Sequence, residues 1–303
     1  MKNRRELIFG DEKFQFGDEV EELHDSSSDL NDYELLRQRM KDDGYLFLRS
    51  FHDVKKVKEA AAWTLNAVER KGGIKLGTKF IDGYISKKNE SYNFFRETDI
   101  AHAKAILDVV DSKKTFNFFE RFLGGEVITF DKRWLRCMAK GGNNHFHYDT
   151  VYLGRGTKNR YTMWTPITEI EINRGPLVIC LGSHNNQKIK TTYGNTDTDK
   201  DLTEAVFSKN PRELIDNFGF KLATTHFNQG DVLIFGLYMM HASIPNRSNK
   251  YRISIDTRYQ LAKEEKDERF FFGKDGTWLG NSYNKNIQYK SIEILRKEWG
   301  LNK

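Results

Sequence analysis

The spacing of apolar residues changes character near residue 125, dividing the chain into two textures. Residues 1–30 are polar and acidic in places and end in Asp25-Ser26-Ser27-Ser28-Asp29, which reads as a loop closing an N-terminal extension. Over 31–125 the apolar period is helical. Asn31 or Asp32 can cap a helix carrying Leu35, Leu36 and Met40, and Asp53 can cap one carrying Val54, Val57, Ala61 and Leu65. Between them Asp43-Gly44 turns into Tyr45-Leu46-Phe47-Leu48, a short strand. Residues 99–123 read as further helix, with Ala101, Ile106, Val109 and Val110 followed by Phe116, Phe119 and Phe122, and Gly124-Gly125 ends the block.

From 126 to 260 the pattern is one of short strands. Glu126–Phe130, Arg133–Ala139, Tyr161–Ile167, Leu177–Leu181, Asp231–Phe235 and Arg252–Tyr259 are separated by Gly, Asn and Pro turns. Helices first and many short strands afterwards predict a mainly β fold with flanking helices around a double-stranded β-helix, or jelly-roll, core. The polar stretch 185–222 reads as an insertion between strands, of the kind that forms lids and binding loops. Residues 261–303 form a charged tail with a helix near Ile292–Trp299, and the whole of 1–303 is expected to be one domain.

Composition narrows the class of function. Aromatic residues make up 13%, which suits a β-rich interior with a sizeable pocket and argues against disorder. The net charge of +6 is spread along the chain without a basic stripe, so no nucleic-acid partner is expected. The two cysteines, Cys137 and Cys180, lie in apolar runs and read as buried free thiols of a reducing compartment. No secretory signal and no membrane-length apolar run is visible, which points to a cytoplasmic protein, a monomer by default with a homodimer left open.

The chemistry is carried by His147-Tyr148-Asp149. On an extended backbone the imidazole and the carboxylate, two residues apart, project from the same face and can reach one metal ion. The triplet follows Gly141-Gly142-Asn143-Asn144; downstream, Gly230-Asp231 opens the strand Val232–Phe235 that leads toward His241, a distant third ligand. Two histidines and one carboxylate leave half of an octahedron open, the signature of non-heme Fe(II) oxygenases. Arg252 follows a turn-rich segment, so a hairpin can set it beside His241 on the adjacent strand, where its guanidinium could clamp a carboxylate. Ser243 shares the face of His241 and could add a hydroxyl. A triad beside a carboxylate clamp points to 2-oxoglutarate as cosubstrate with Fe(II) and O2, ascorbate serving as an additive in vitro.

These motifs, with others, resemble the phytanoyl-CoA dioxygenase family of Fe(II)/2-oxoglutarate oxygenases. Trp164-Thr165-Pro166-Ile167 resembles the family's tryptophan-bearing strand. Asn173-Arg174-Gly175-Pro176-Leu177 and Leu181-Gly182-Ser183-His184 resemble its turn, strand and "GSH" segment, with Leu181 where the family has proline. Gly230-Asp231, His241-Ala242-Ser243, Asn246 and Thr257-Arg258-Tyr259 resemble its C-terminal signature, and Asp43–Leu48 its first core strand. The resemblance spans about residues 33–260. It implies iron ligation by His147, Asp149 and His241, a 2-oxoglutarate carboxylate on Arg252 assisted by Ser243, Trp164 beside the cosubstrate, and Arg136 at a pocket-facing position. The expected outcome is hydroxylation of an unactivated C–H bond of a small molecule, with release of succinate and CO2.

Other readings stay in view. His145 alternates onto the face of His147 and would suit a metal cupin independent of 2-oxoglutarate, although the glutamate such a site needs is missing. A non-catalytic jelly roll used for binding is the second alternative. His184 reads as a turn residue and Arg258 as a supporting salt bridge. Tyr152, Arg155 and Arg160, close after the triplet, are the candidate substrate contacts, and the polar loops around them suggest a polar or anionic small molecule.

Overall fold

The computed structural model describes residues 6–273 and 287–301. Two sheets form the core. One has the order β3 (Val20–Glu22), β10 (Lys221–Thr224), β9 (Leu177–Leu181), β12 (His241–Ser243) and β7 (Asn144–His147). The other has the order β4 (Tyr45–Leu48), β11 (Val232–Gly236), β8 (Arg160–Pro166), β13 (Arg252–Leu261) and β5 (Val127–Thr129), with β6 (Trp134–Met138) also paired to β13. A separate hairpin joins β1 (Glu6–Phe9) to β2 (Glu12–Gln15). Strands adjacent in the sheets are mostly remote in sequence, as a jelly roll requires.

Alternation along each strand sorts side chains between layers. On β9, Leu177 and Ile179 face the second sheet and join Phe47, Trp164, Leu233 and Phe235 between the layers. Val178 and Cys180 face the other way, beneath Leu7, Phe9 and Phe14 of the hairpin. β13 is buried along its whole length: Ile253 and Ile255 pack under the helices of the first half, and Tyr259 stacks on Phe119 with ring centroids 4.1 Å apart. Tyr33–Asp42 is a helix capped by Asp32, whose carboxylate accepts from Leu35 N at 2.9 Å; Val54–Arg70 is capped by Asp53, and Lys113–Leu123 runs from Ser112 to Gly124.

Three features depart from the sequence pattern. The N-terminal extension, in which no strand was expected, contains β1, β2 and β3, the last paired in parallel with β10. These strands are only three or four residues long and rich in Glu and Lys, so their few inward residues, such as Leu7 and Phe14, make no visible period. The stretch 185–222 ends inside β10, which also closes onto β9. The segment after His241 leaves one sheet for the other, so Arg252 does not lie on the strand adjacent to His241: β12 pairs with β7 and β9, β13 with β5, β6 and β8. No helix among the described residues is long and apolar enough to cross a membrane.

Candidate metal centre

Period-two alternation aims the polar residues at one cavity between the sheets. Arg252, Ser254, Asp256 and Arg258 share the inner face of β13, Thr162 and Trp164 that of β8, and Trp134 and Arg136 that of β6. The cavity has a volume of about 270 Å³ and is walled by both sheets.

His147 and His241 are direct cross-strand partners on β7 and β12, which brings their rings to a centroid separation of 4.3 Å. Asp149 lies just past β7, in helical backbone at the start of the short helix Thr150–Leu153, rather than on the extended backbone the triplet suggests. The turn still carries its carboxylate to the histidines: Oδ1 is 3.8 Å from Nε2 of each. Among the described residues these three alone form a group with metal-ligand character, their ligating atoms all within 4.8 Å of one another.

The hydrogen bonds around the triad leave its ligating lone pairs free. His147 Nδ1 lies 2.7 Å from the His145 carbonyl and His241 Nδ1 2.9 Å from that of Met239. A carbonyl only accepts, so each Nδ1 carries the proton and each Nε2 presents its lone pair to the shared space. On Asp149 the other oxygen, Oδ2, is already occupied, by the Thr162 hydroxyl at 2.5 Å and Arg258 Nη2 at 3.0 Å. Only Oδ1 faces the histidines. Two imidazole nitrogens and one carboxylate oxygen, each oriented by a second partner, fit a divalent iron.

Electrostatics prepares the same state. Burial, helped by His241, pushes His147 down to about 3, so its imidazole is neutral and able to ligate at neutral pH. Burial alone would raise the Asp149 carboxyl, but the Arg258 guanidinium beside it, with the hydrogen bond from Thr162, reverses this and holds it well below the usual range. Asp149 is therefore ionised.

Arg252 lines the same cavity as the triad and is almost wholly buried, at 2% exposure. Its Nε donates to the Gly175 carbonyl at 3.0 Å and Nη1 to Ser254 Oγ at 2.8 Å, while the guanidinium carbon lies 5.3 Å from the Trp164 ring centroid. These contacts hold a positive charge against the cavity wall, a clamp for a carboxylate.

The remaining expectations divide. Trp164, Arg136 and Tyr152 line the cavity, Arg136 in an ion pair with Asp256. The Ser243 hydroxyl accepts from the Asn144 amide at 2.7 Å, and the hydroxyl bonded to Arg252 is that of Ser254, two residues along Arg252's own strand. Arg155 pairs with Asp197 at 2.6 Å, outside the cavity. Arg160 is buried behind it, donating to Gln260 Oε1 at 2.9 Å and the Leu153 carbonyl at 2.5 Å. His145 lines the cavity but contributes no atom to the ligand group. Thr162 and Lys132 were not singled out from sequence; the alternation of polar residues along Arg160–Trp164 and of Lys132, Trp134 and Arg136 was the available signal.

Residues 40–254 match the family model described as phytanoyl-CoA dioxygenase, a span that includes the triad and Arg252. A 1-deoxypentalenic acid 11-beta-hydroxylase from Streptomyces arenae is 27% identical over 249 residues, covering 78% of this chain and 84% of the relative. The protein of the same description from Streptomyces exfoliatus is 26% identical, covering 82% and 88%. Among solved structures, the epimerase SnoN in complex with Fe3+, alpha ketoglutarate and nogalamycin RO superposes with a TM-score of 0.55 at 14% identity over 86% of this chain and 94% of that one. EctD from S. alaskensis with 2-oxoglutarate and 5-hydroxyectoine gives 0.54 at 16%, covering 85% and 88%. At these identities the two structures speak for the fold.

Proposed function

The chain belongs to the phytanoyl-CoA dioxygenase family, and from that premise we propose that His147, Asp149 and His241 hold the Fe(II) of a hydroxylase acting on a small molecule. The chain is an Fe(II)/2-oxoglutarate-dependent oxygenase. The observation that carries the assignment of the residues is the convergence of two histidine Nε2 atoms on Asp149 Oδ1, in a cavity that a buried arginine also lines. When bound, iron and 2-oxoglutarate together supply the oxidation, in which O2 gives one oxygen atom to succinate, with loss of CO2, and the other to a C–H bond of the substrate.

The protein's part is placement and exclusion. Arg252 binds the distal carboxylate of 2-oxoglutarate through a charge-assisted contact and so orients the keto-acid end toward the triad. The Trp164 ring, beside that guanidinium, forms one wall of the same compartment. Thr162 and Arg258 engage Asp149 Oδ2 and leave Oδ1 as the carboxylate oxygen that would hold the metal. Phe235, whose ring centroid is 4.6 Å from that of His241, shields the ligand from solvent. The hydroxylase reading draws support from the names of the two Streptomyces relatives.

Purified protein supplied with Fe(II), ascorbate and 2-oxoglutarate is expected to form succinate slowly without substrate. Asp149→Ala and His241→Ala are expected to abolish it; retention of full succinate formation in both variants would remove these residues from the site.

A further inference from the structure

Strand pairing registers the two histidines of the triad but not Asp149. β7 ends at His147 and the antiparallel β12 begins at His241, so Asp149 and the Met239–Met240 run that leads into His241 both lie past the same end of the ladder. β9 stops there too: its Ile179 pairs with His241, and the strand ends at Leu181. Gly182, at φ +79°, then turns the chain and delivers Ser183 to this end of the sheet.

Ser183 takes a hydrogen bond from each ligand-bearing segment. Tyr148, the residue between His147 and Asp149, donates its hydroxyl to the Ser183 carbonyl at 2.6 Å. Met240, the residue before His241, donates its backbone N–H to Ser183 Oγ at 2.9 Å. The same hydroxyl reaches Met239 Sδ at 3.5 Å, and Met239 supplies the carbonyl that orients the His241 imidazole. Ser183, Tyr148, Met239 and Met240 are all 0% exposed, so water cannot replace either bond. None of the four is among the described residues lining the cavity. Thr162 and Arg258 hold the Asp149 carboxylate from within the cavity, whereas Ser183 holds the neighbouring Tyr148 on the other face of the sheet, in the apolar cluster of Val178 and Cys180.

We propose that Ser183 is a positioning residue of the metal centre, bracing Tyr148 against Met240 and so fixing where Asp149 stands relative to His241. This rests on the metal reading of His147, Asp149 and His241 and adds the residue that keeps the three together. Asp149 Oδ1 stands 3.8 Å from Nε2 of both histidines, and side chains already held near ligating spacing lose less freedom when a metal binds.

The test measures Mn(II) affinity of the full chain by calorimetry, with folding stability followed in the same proteins by urea unfolding in chelator. Tyr148→Phe removes the bond to the Ser183 carbonyl, and Ser183→Ala removes the bond from Met240. Each is expected to weaken Mn(II) binding about tenfold. Both bonds act through one residue, so the double variant should lose no more than about twofold beyond either single variant. A merely structural role would lower stability and leave the affinity of the folded protein alone. Thr224→Val sets that baseline: it deletes a buried hydrogen bond of the same sheet, from Thr224 Oγ1 to the Leu177 carbonyl at 2.6 Å, and should lower stability with Mn(II) affinity unchanged. Affinity within about twofold of wild type in either single variant overturns the inference, as does a double variant in which the two losses multiply, or a loss in Thr224→Val as large as theirs. Should Ser183→Ala not fold, Tyr148→Phe, which removes a single oxygen, decides alone. Wild-type binding no tighter than that of His147→Ala refutes the metal reading itself, whereas tight wild-type binding that Tyr148→Phe leaves unchanged refutes this inference alone.

Discussion

Replacing Arg258 by Gln should destabilise the metal-free protein far more than the metal-loaded one. Arg258 Nη2 and Asp149 Oδ2 are 3.0 Å apart, with both side chains 4% exposed. Breaking a buried ion pair by removing one partner costs about 3–5 kcal/mol, because the other charge stays buried and uncompensated. Part of this is offset here. The Thr162 hydroxyl still donates to Asp149, and the substitution removes two buried nitrogens that lack an acceptor; the buried amide that takes their place restores part of that cost, which leaves a relief of about 1–3 kcal/mol. The net loss without metal is then about 2 kcal/mol. A divalent ion on Oδ1 neutralises the same carboxylate, so the loss should largely vanish when metal is bound. Linkage turns that difference into affinity: about 2 kcal/mol corresponds to roughly 30-fold tighter metal binding in the variant. Urea unfolding with chelator and with saturating Mn(II), for wild type and Arg258→Gln, measures all four stabilities. Equal losses with and without metal, or a metal-free loss below about 0.5 kcal/mol, would refute the claim that Arg258 compensates the ligand carboxylate.

Other expectations are as direct. Arg252→Met should raise the 2-oxoglutarate concentration needed for half-maximal succinate formation by about a hundredfold, the worth of a charge-assisted contact, with metal affinity unchanged. Thr162→Val frees Asp149 Oδ2 on one side and should lower turnover by about tenfold at unchanged 2-oxoglutarate requirement, as measured by steady-state kinetics. Burial, with the guanidinium groups of Arg136, Arg258 and Arg96 nearby, pushes the Lys132 ammonium down to about 7. The same depression makes Lys132 contribute a rise in folding stability with pH between about 7 and the ordinary lysine range, where the unfolded chain still holds the proton that the folded one has released.

The alternation over Arg252–Tyr259 was legible as a strand; that its polar face is buried too, and carries Arg252 and Arg258, was not, because alternation ordinarily marks a strand with one face in solvent. The His147–His241 pairing was legible because a glycine-bounded strand leads to each histidine and neighbouring strands set their rings on one face. What sequence did not disclose were long-range choices with no local signature. Whether β12 and β13 shared a sheet depended on where the Asn246–Tyr251 turn directed the chain, and a turn-rich segment is compatible with either. Ser243 and Ser254 both stand two residues from a functional side chain, and only packing decides which hydroxyl meets the guanidinium. Arg155 and Arg160 looked like substrate contacts because they follow Asp149 closely, yet the helix Thr150–Leu153 turns the chain so that their charges meet Asp197 and Gln260. Cys137 and Cys180, by contrast, needed only their apolar neighbours to be recognised as buried free thiols.

Anaerobic titration of Fe(II)-loaded protein with 2-oxoglutarate, followed by visible absorption, tests the central claim most directly. Chelation of the keto acid to iron held by His147, Asp149 and His241 predicts a charge-transfer band that needs both components. It should be lost in His147→Ala, Asp149→Ala and His241→Ala and shifted to higher 2-oxoglutarate concentration in Arg252→Met. A band that survives in the three alanine variants, or that never forms in the wild type, would contradict the account.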